Sequence, residues 1–186
     1  LISNLESRKN RLNRPAVANV TLIAVCMSVE EPLFDLEQTS RFLITAEYKN
    51  INTLLVLTKI DLIGKEKLNS YIHRLKRWGY NPIAISVRDL QGIDFLLNTL
   101  RQTELSVLCG PSGVGKTSLI NHLIPNLELP TSSVSKKLKR GINTTRHVEL
   151  FSVGNGSLVA DTPGFNRPEI LSDPLNFAFL FPELRD

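Results

Sequence analysis

One stretch constrains the fold more than any other. Gly110-Pro-Ser-Gly-Val-Gly-Lys-Thr117 follows the apolar run Leu105–Cys109 and leads into Lys116–Leu123, which has helical spacing. A glycine-rich turn between a buried strand and a helix N-terminus belongs to α/β folds with parallel strands. The chain before it repeats the same alternation. Val20–Met27, Thr53–Leu57 and Ile83–Val87 are apolar runs of strand length. Asp35–Tyr48, Lys65–Trp78 and Ile93–Leu100 read as helices, with Leu36, Leu43 and Ala46 on one face of the first and Leu68, Ile72 and Leu75 on one face of the second. Gly79 stands where a helix stop belongs. Strands that are apolar throughout, rather than alternating, predict a mostly parallel sheet covered by helices on both faces. Hydrophobic residues make up 42% of the 186, enough to cover such a sheet and too many for a disordered chain.

After Pro125 the character changes. Residues 130–145 are polar and basic with little periodicity. Val148–Val153 and Leu158–Ala160 flank Gly154-Asn-Gly156, which predicts a hairpin. Residues 173–184 read as a short apolar helix. At the other end, residues 1–15 carry Arg8, Lys9, Arg11 and Arg14 and read as a basic lead-in ending at Pro15. No run of 18 apolar residues exists, so no membrane partner is expected. Cys26 and Cys109 sit in apolar runs without zinc-ligand spacing, which points to a reducing compartment. The net charge of +4 permits an RNA partner without requiring one.

Gly110–Thr117 matches G-x-x-x-x-G-K-[ST] in the strand-to-helix context that the pattern needs. Glycines let successive backbone N–H groups point inward at phosphate oxygens, and the helix N-terminus adds a favourable dipole. The expected phosphate contacts are Gly110, Pro111, Ser112, Gly113, Val114, Gly115, Lys116, Thr117 and Ser118. Lys116 reaches the β- and γ-phosphates, and the Thr117 hydroxyl is a Mg²⁺ ligand. Asp161-Thr-Pro-Gly164 lies downstream at the end of an apolar run. There Asp161 would hold Mg²⁺ through water, and the Gly164 N–H would meet the γ-phosphate. Between them, in Gly141-Ile-Asn-Thr-Thr-Arg146, either Thr144 or Thr145 would ligate Mg²⁺ when the γ-phosphate is present, making this segment a switch.

Thr58-Lys59-Ile60-Asp61 ends the second apolar strand and has the form [NT]-K-x-D. A carboxylate only accepts hydrogens, and guanine offers two adjacent donors, N1–H and N2–H₂. Adenine has an acceptor at N1 and would leave Asp61 unpaired. The Lys59 stem would cover the base face. Ser86-Val87 ends the next strand, where a backbone N–H would meet guanine O6. These base elements precede the phosphate loop, whereas ordinary GTPases place them last. A circular permutation reconciles the two orders, because it leaves every strand-end loop on the same rim of the sheet.

With this order the chain resembles the circularly permuted GTPases of small ribosomal subunit biogenesis, the RsgA (YjeQ/YloQ) family. Arg8-Lys-Asn10, Arg14-Pro15, Val17-Ala-Asn-Val20, Arg41-Phe-Leu43, the GPSGVGKTSLIN stretch, Thr144-Thr-Arg-His147 and Asp161-Thr-Pro-Gly-Phe165 carry the likeness. The resemblance implies an α/β P-loop GTPase fold, circularly permuted, over residues 16–172. It implies an OB-fold before the lead-in 1–15 and, after the flank 173–186, a zinc domain, the one place where Zn²⁺ is expected. It further implies GTP and GDP as ligands with Mg²⁺ and hydrolysis of GTP to GDP, slow without the ribosome. The partners it implies are the small ribosomal subunit and its rRNA, bound by a monomer. The compartment would be the cytoplasm, or a plastid or mitochondrial matrix if a transit peptide has been removed.

Three positions depart from common patterns. Thr58 replaces the usual Asn with a shorter hydrogen-bonding arm. Asn143 stands where the family has a His proposed to assist hydrolysis, and Asn is no general base at neutral pH. Phe165 stands where Ras-type enzymes carry a water-orienting Gln, which is normal for the family. No catalytic residue is therefore assigned. The rival reading is a nucleotide-gated ribosome- or RNA-binding module with little intrinsic hydrolysis. Lys136-Lys-Leu-Lys-Arg140 reads equally as an RNA contact or as a solvated loop. Cys109 abuts the phosphate loop, so its modification would obstruct binding.

Overall fold

The computed structural model describes residues 7–12, 17–125, 127–129, 148–161 and 177–184, the side chains of Asp161 and Phe177 excepted. Its six-stranded sheet has the order β5 (Ile83–Ala84), β4 (Asn52–Thr58), β3 (Leu22–Ser28), β6 (Leu105–Cys109), β8 (Ser157–Asp161), β7 (Glu149–Gly154). β3 (Leu22–Ser28) is central and buried throughout, with β4 (Asn52–Thr58) on one side and β6 (Leu105–Cys109) on the other, both parallel. β5 (Ile83–Ala84) extends the sheet beyond β4, and β8 (Ser157–Asp161) extends it beyond β6, again in parallel. β7 (Glu149–Gly154) is the one antiparallel member. The continuous apolar runs have the expected consequence: each central strand faces a core on both sides.

Helices α1 (Leu36–Tyr48) and α2 (Lys65–Arg77) cover one face with Phe42, Leu43, Ala46 and Leu75. Helices α3 (Ile93–Leu100) and α4 (Lys116–Leu123) cover the other with Ile93, Leu96, Leu100, Leu119, Ile120 and Leu123. Asp35 caps α1, its carboxylate accepting from the Gln38 N–H at 3.0 Å. The hairpin between β7 and β8 turns on Asn155 and Gly156, both at positive φ, as a two-residue turn requires.

Three segments differ from expectation. Residues 7–12 are joined to the domain, because β1 (Arg11–Leu12) pairs with β2 (Val17–Ala18) and Leu12 is buried in the core. The Asn10 side chain fixes this entry by bonding both the N–H and the carbonyl of Val20. The strand expected over Ile83–Val87 is paired in the sheet only at Ile83 and Ala84, since Ser86 exchanges backbone bonds with Gln91 and turns the chain away. The described part of the tail forms two 3₁₀ turns, Phe177–Leu180 and Pro182–Leu184, rather than one helix. Pro182 has no N–H to continue the first turn.

Candidate nucleotide site

In a parallel sheet every strand delivers its C-terminal end to one rim. The ends of β4, β6 and β8 therefore bring Thr58, the loop from Gly110 and Asp161 to the same edge, with β3 ending between them. The 110–117 loop is held there by its contact with β3. Gly110 has φ +133, and a Cβ built on it would collide with the Cys26 carbonyl oxygen, so only glycine lets the loop leave β6 this close to β3. Gly113 and Gly115 also have positive φ, and Gly115 is the residue from which α4 starts. Lys116 is folded along the loop, its Nζ donating to the Gly110 and Pro111 carbonyls at 2.7 and 2.9 Å. Val114 is fully buried, while Ser112 and Gly113 are exposed and Pro111, Gly115, Thr117 and Ser118 are half-buried.

Thr58 reaches this loop directly. Its buried hydroxyl donates to the Val114 carbonyl at 2.6 Å, with the Met27 carbonyl at 3.4 Å. The shorter arm is thus long enough to tie the end of β4 to the glycine-rich loop. Lys59 follows at φ +58, and Ile60 is buried, its N–H bonded to the Ile85 carbonyl. Asp61 then stands beside Ser86. The Ser86 hydroxyl donates to Asp61 Oδ1 at 2.7 Å and accepts from the Asp89 N–H at 3.0 Å. The Ser86 N–H is taken by the Gln91 carbonyl, so the N–H of the neighbouring Val87 is the donor this segment has to offer. Among the described residues no other group bonds to the Asp61 carboxylate, which leaves acceptor capacity on it.

One neighbour of the site is absent from the motif reading. The segment Val29–Phe34 follows the end of β3 on the same rim. The Glu31 carbonyl accepts from Lys59 Nζ. Pro32 lies against Gly113, its Cδ 3.7 Å from where a Cβ would stand. Glu30 Oε2 pairs with Lys67 Nζ of α2 at 2.9 Å, which raises the Lys67 pKa chiefly through that hydrogen bond. Phe34 packs on Tyr71 with ring centroids 4.7 Å apart. No motif marks this segment. Its place after the central strand of a parallel sheet is the sequence signal that would have found it.

Both cysteines are fully buried. Burial pushes the Cys26 thiol up to about 12, and it pushes Cys109 well above the ordinary thiol value; Lys116 opposes both shifts more weakly. Neither thiol is a reactive group in the folded protein, so the expected modification of Cys109 requires the sheet to open first.

A magnesium ion beside this loop would need hard oxygen donors, and the available positions fit. Thr117 lies in the first turn of α4. The β6–β8 register pairs Val107 with Ala160, so Asp161 is the next residue of β8 toward the rim where β6 becomes the loop. Asn143, Thr144, Thr145, Gly164, Phe165, His147 and the basic run 136–140 lie outside the described residues. Among the described residues, no cluster of His, Cys, Asp and Glu has the makings of a separate metal site.

A model of the RsgA GTPase family matches residues 5–171. A small ribosomal subunit biogenesis GTPase RsgA of Prochlorococcus marinus (strain NATL1A) is 66% identical over 185 residues, which is 100% of this chain and 59% of that protein. The chain thus spans about three fifths of that relative's length. Among solved structures, YjeQ from Thermotoga maritima superposes with a TM-score of 0.73 at 31% identity, over 90% of this chain and 56% of the other. YloQ, described as a circularly permuted GTPase, gives 0.74 at 28% identity, over 98% and 58%.

Proposed function

Since the chain belongs to the RsgA GTPase family, we propose that it binds guanine nucleotides with Mg²⁺, hydrolyses GTP to GDP, and serves as a nucleotide switch in small ribosomal subunit maturation. The observation that carries this is the bond from Thr58 to the Val114 carbonyl. It joins the segment proposed to read the base to the loop proposed to take the phosphates, on one rim of the sheet. Asp61, oriented by Ser86, accepts the guanine N1–H and N2–H₂ donors, and the Val87 N–H meets O6. Lys59, steadied by the Glu31 carbonyl, lays its stem along the base. The N–H groups of Gly110–Ser118 and the ammonium of Lys116 take the phosphates. Thr117, Asp161 and either Thr144 or Thr145 hold the Mg²⁺, which supplies charge neutralisation on the phosphates. The Gly164 N–H meets the γ-phosphate. The small subunit and its rRNA are the partners, and the protein acts as a monomer in the cytoplasm, or in an organelle matrix if a transit peptide is removed.

The test is ligand-induced stabilisation. GTP with Mg²⁺ raises the melting temperature of the unmodified protein, and ATP does not; Lys116→Ala abolishes the rise while folding normally. Equal stabilisation by ATP and GTP overturns the guanine assignment. The second reading, a gated binding module with little hydrolysis, is favoured by Asn143. Single-turnover phosphate release with and without small subunits separates the two, and Asn143→His accelerates release about 10²-fold if proton transfer at this position is what is missing.

A further inference from the structure

Helix α2 concentrates charge in a way its own stability does not explain. Of the 22 Lys and Arg and 18 Asp and Glu in the sequence, α2 holds Lys65, Lys67, Arg74, Lys76 and Arg77 against Glu66 alone. Outside this helix the chain balances at 17 of each sign, so the net charge of +4 equals that of one 13-residue helix. Cations in the last turn complement the helix dipole, which accounts for Arg74, Lys76 and Arg77 being tolerated there. The same dipole disfavours Lys65 and Lys67 in the first turn. Lys67 is tied to Glu30. Lys65, Arg74, Lys76 and Arg77 are all exposed, and among the described residues none of them has an ion-pair partner within 4 Å.

The apolar side chains of α2 are all committed elsewhere. Leu75 is buried, and Leu68, Tyr71, Ile72 and the following Trp78 pack against the core. The outer face therefore has no apolar wedge for a bilayer and no aromatic or aliphatic anchor of the kind that dominates protein interfaces. It offers cations without a hydrophobic centre, which suits a phosphodiester backbone.

We infer that the exposed half of α2, with Arg77 near its middle, Lys65 and Lys76 on one flank and Arg74 on the other, is a docking surface for the phosphate backbone of structured RNA. This rests on the proposed role at the small ribosomal subunit and assigns a surface to it. Lys65 opens the helix four residues after Asp61, and Arg74, Lys76 and Arg77 lie in its last turn, at the end away from Asp61.

The test compares the unmodified protein with a variant carrying Lys65→Gln, Arg74→Gln, Lys76→Gln and Arg77→Gln. Lys67 is left intact because it supports Glu30. The probes are a labelled 20-base-pair RNA duplex, titrated across 50–200 mM KCl, and purified small subunits in a sedimentation assay. Each lost phosphate contact flattens the log K against log salt slope by roughly 0.7–0.9, so four together flatten it by about 3. Duplex affinity at 100 mM KCl falls at least about tenfold, while GDP affinity and the melting temperature hold. Arg8→Gln, Lys9→Gln and Arg11→Gln, made together, form the control. A control that loses as much slope per charge removed overturns the inference, because binding then follows total charge. Equal competition by poly-glutamate overturns the choice of RNA. If the unmodified protein binds small subunits and the α2 variant binds them equally well, the surface is wrong and the ribosomal role stands. If the unmodified protein binds neither probe, the ribosomal role fails with it.

Discussion

Replacing Thr58 by Val exchanges its hydroxyl for a methyl group and hardly changes volume. The hydroxyl is buried, 2.6 Å from the Val114 carbonyl and 3.4 Å from that of Met27. A hydroxyl has a single hydrogen to give, and the shorter contact takes it. Val fills the same space and leaves the Val114 carbonyl without its donor in a place closed to water. An orphaned buried acceptor costs about 1–3 kcal/mol. Each kcal/mol is worth about 2–4 °C of melting temperature in a domain of this size. Thr58→Val therefore loses stability by that amount in urea melts. It also weakens binding of a fluorescent GDP analogue by up to about tenfold, the equivalent of 1.4 kcal/mol, because the loop carrying Val114 is no longer pinned to β4. Thr58→Ser keeps the proton and loses a methyl group, so its GDP affinity stays near that of the unmodified protein even though its packing is poorer. The reasoning is refuted if Val matches Thr in both stability and affinity, or if Ser weakens GDP binding as much as Val does.

Three further outcomes are expected. Asp61→Asn keeps an oxygen for the Ser86 hydroxyl and turns an amide NH₂ toward the base; it weakens GTP binding by about 1–3 kcal/mol and admits xanthine nucleotides, as competition titrations will show. Gly110→Ala drives a Cβ into the Cys26 carbonyl at a φ that side chains avoid, and costs about 3 kcal/mol or more in a denaturant melt. With thiols raised in the folded state, the unfolded chain loses protons first as pH climbs past the ordinary thiol value, so stability declines as pH rises above about 9, by up to about 1.4 kcal/mol per pH unit for each thiol. Cys26→Ala with Cys109→Ala removes that slope, and in the unmodified protein alkylation at pH 8 proceeds only as fast as the sheet opens.

The regular part of the molecule was legible because its signals are local. Val20–Met27 and Leu105–Cys109 are apolar at every position, and such runs belong inside a parallel sheet. The glycine-rich loop and the T-K-x-D element are each written in a few adjacent residues, and the structure brings both to one rim. What escaped is what depends on neighbours far along the chain. Nothing near Leu12 announces that it enters the core, because its burial follows from pairing with Val17–Ala18 and from the Asn10 bonds to Val20. Ser86 reads as the end of a strand, yet its backbone turns to Gln91 and its side chain orients Asp61. Glu31 acts through its carbonyl, a group every residue has, so its identity could not reveal its contact with Lys59.

The permuted order of the elements has a physical reading of its own. Sheet neighbours, not chain neighbours, build the rim. β3 lies between β4 and β6 whichever strand is synthesised first, so the T-K-x-D segment falls on one side of it and the glycine-rich loop on the other. The bond that unites them, Thr58 to Val114, closes a span of 56 residues. Closure entropy grows only with the logarithm of length, about 0.6 kcal/mol for each doubling. Joining the halves through this span rather than through a shorter or longer one therefore changes stability by less than the single buried hydrogen bond at stake. Reordering the chain is nearly neutral for the site, whereas losing the one buried donor at Thr58 is not.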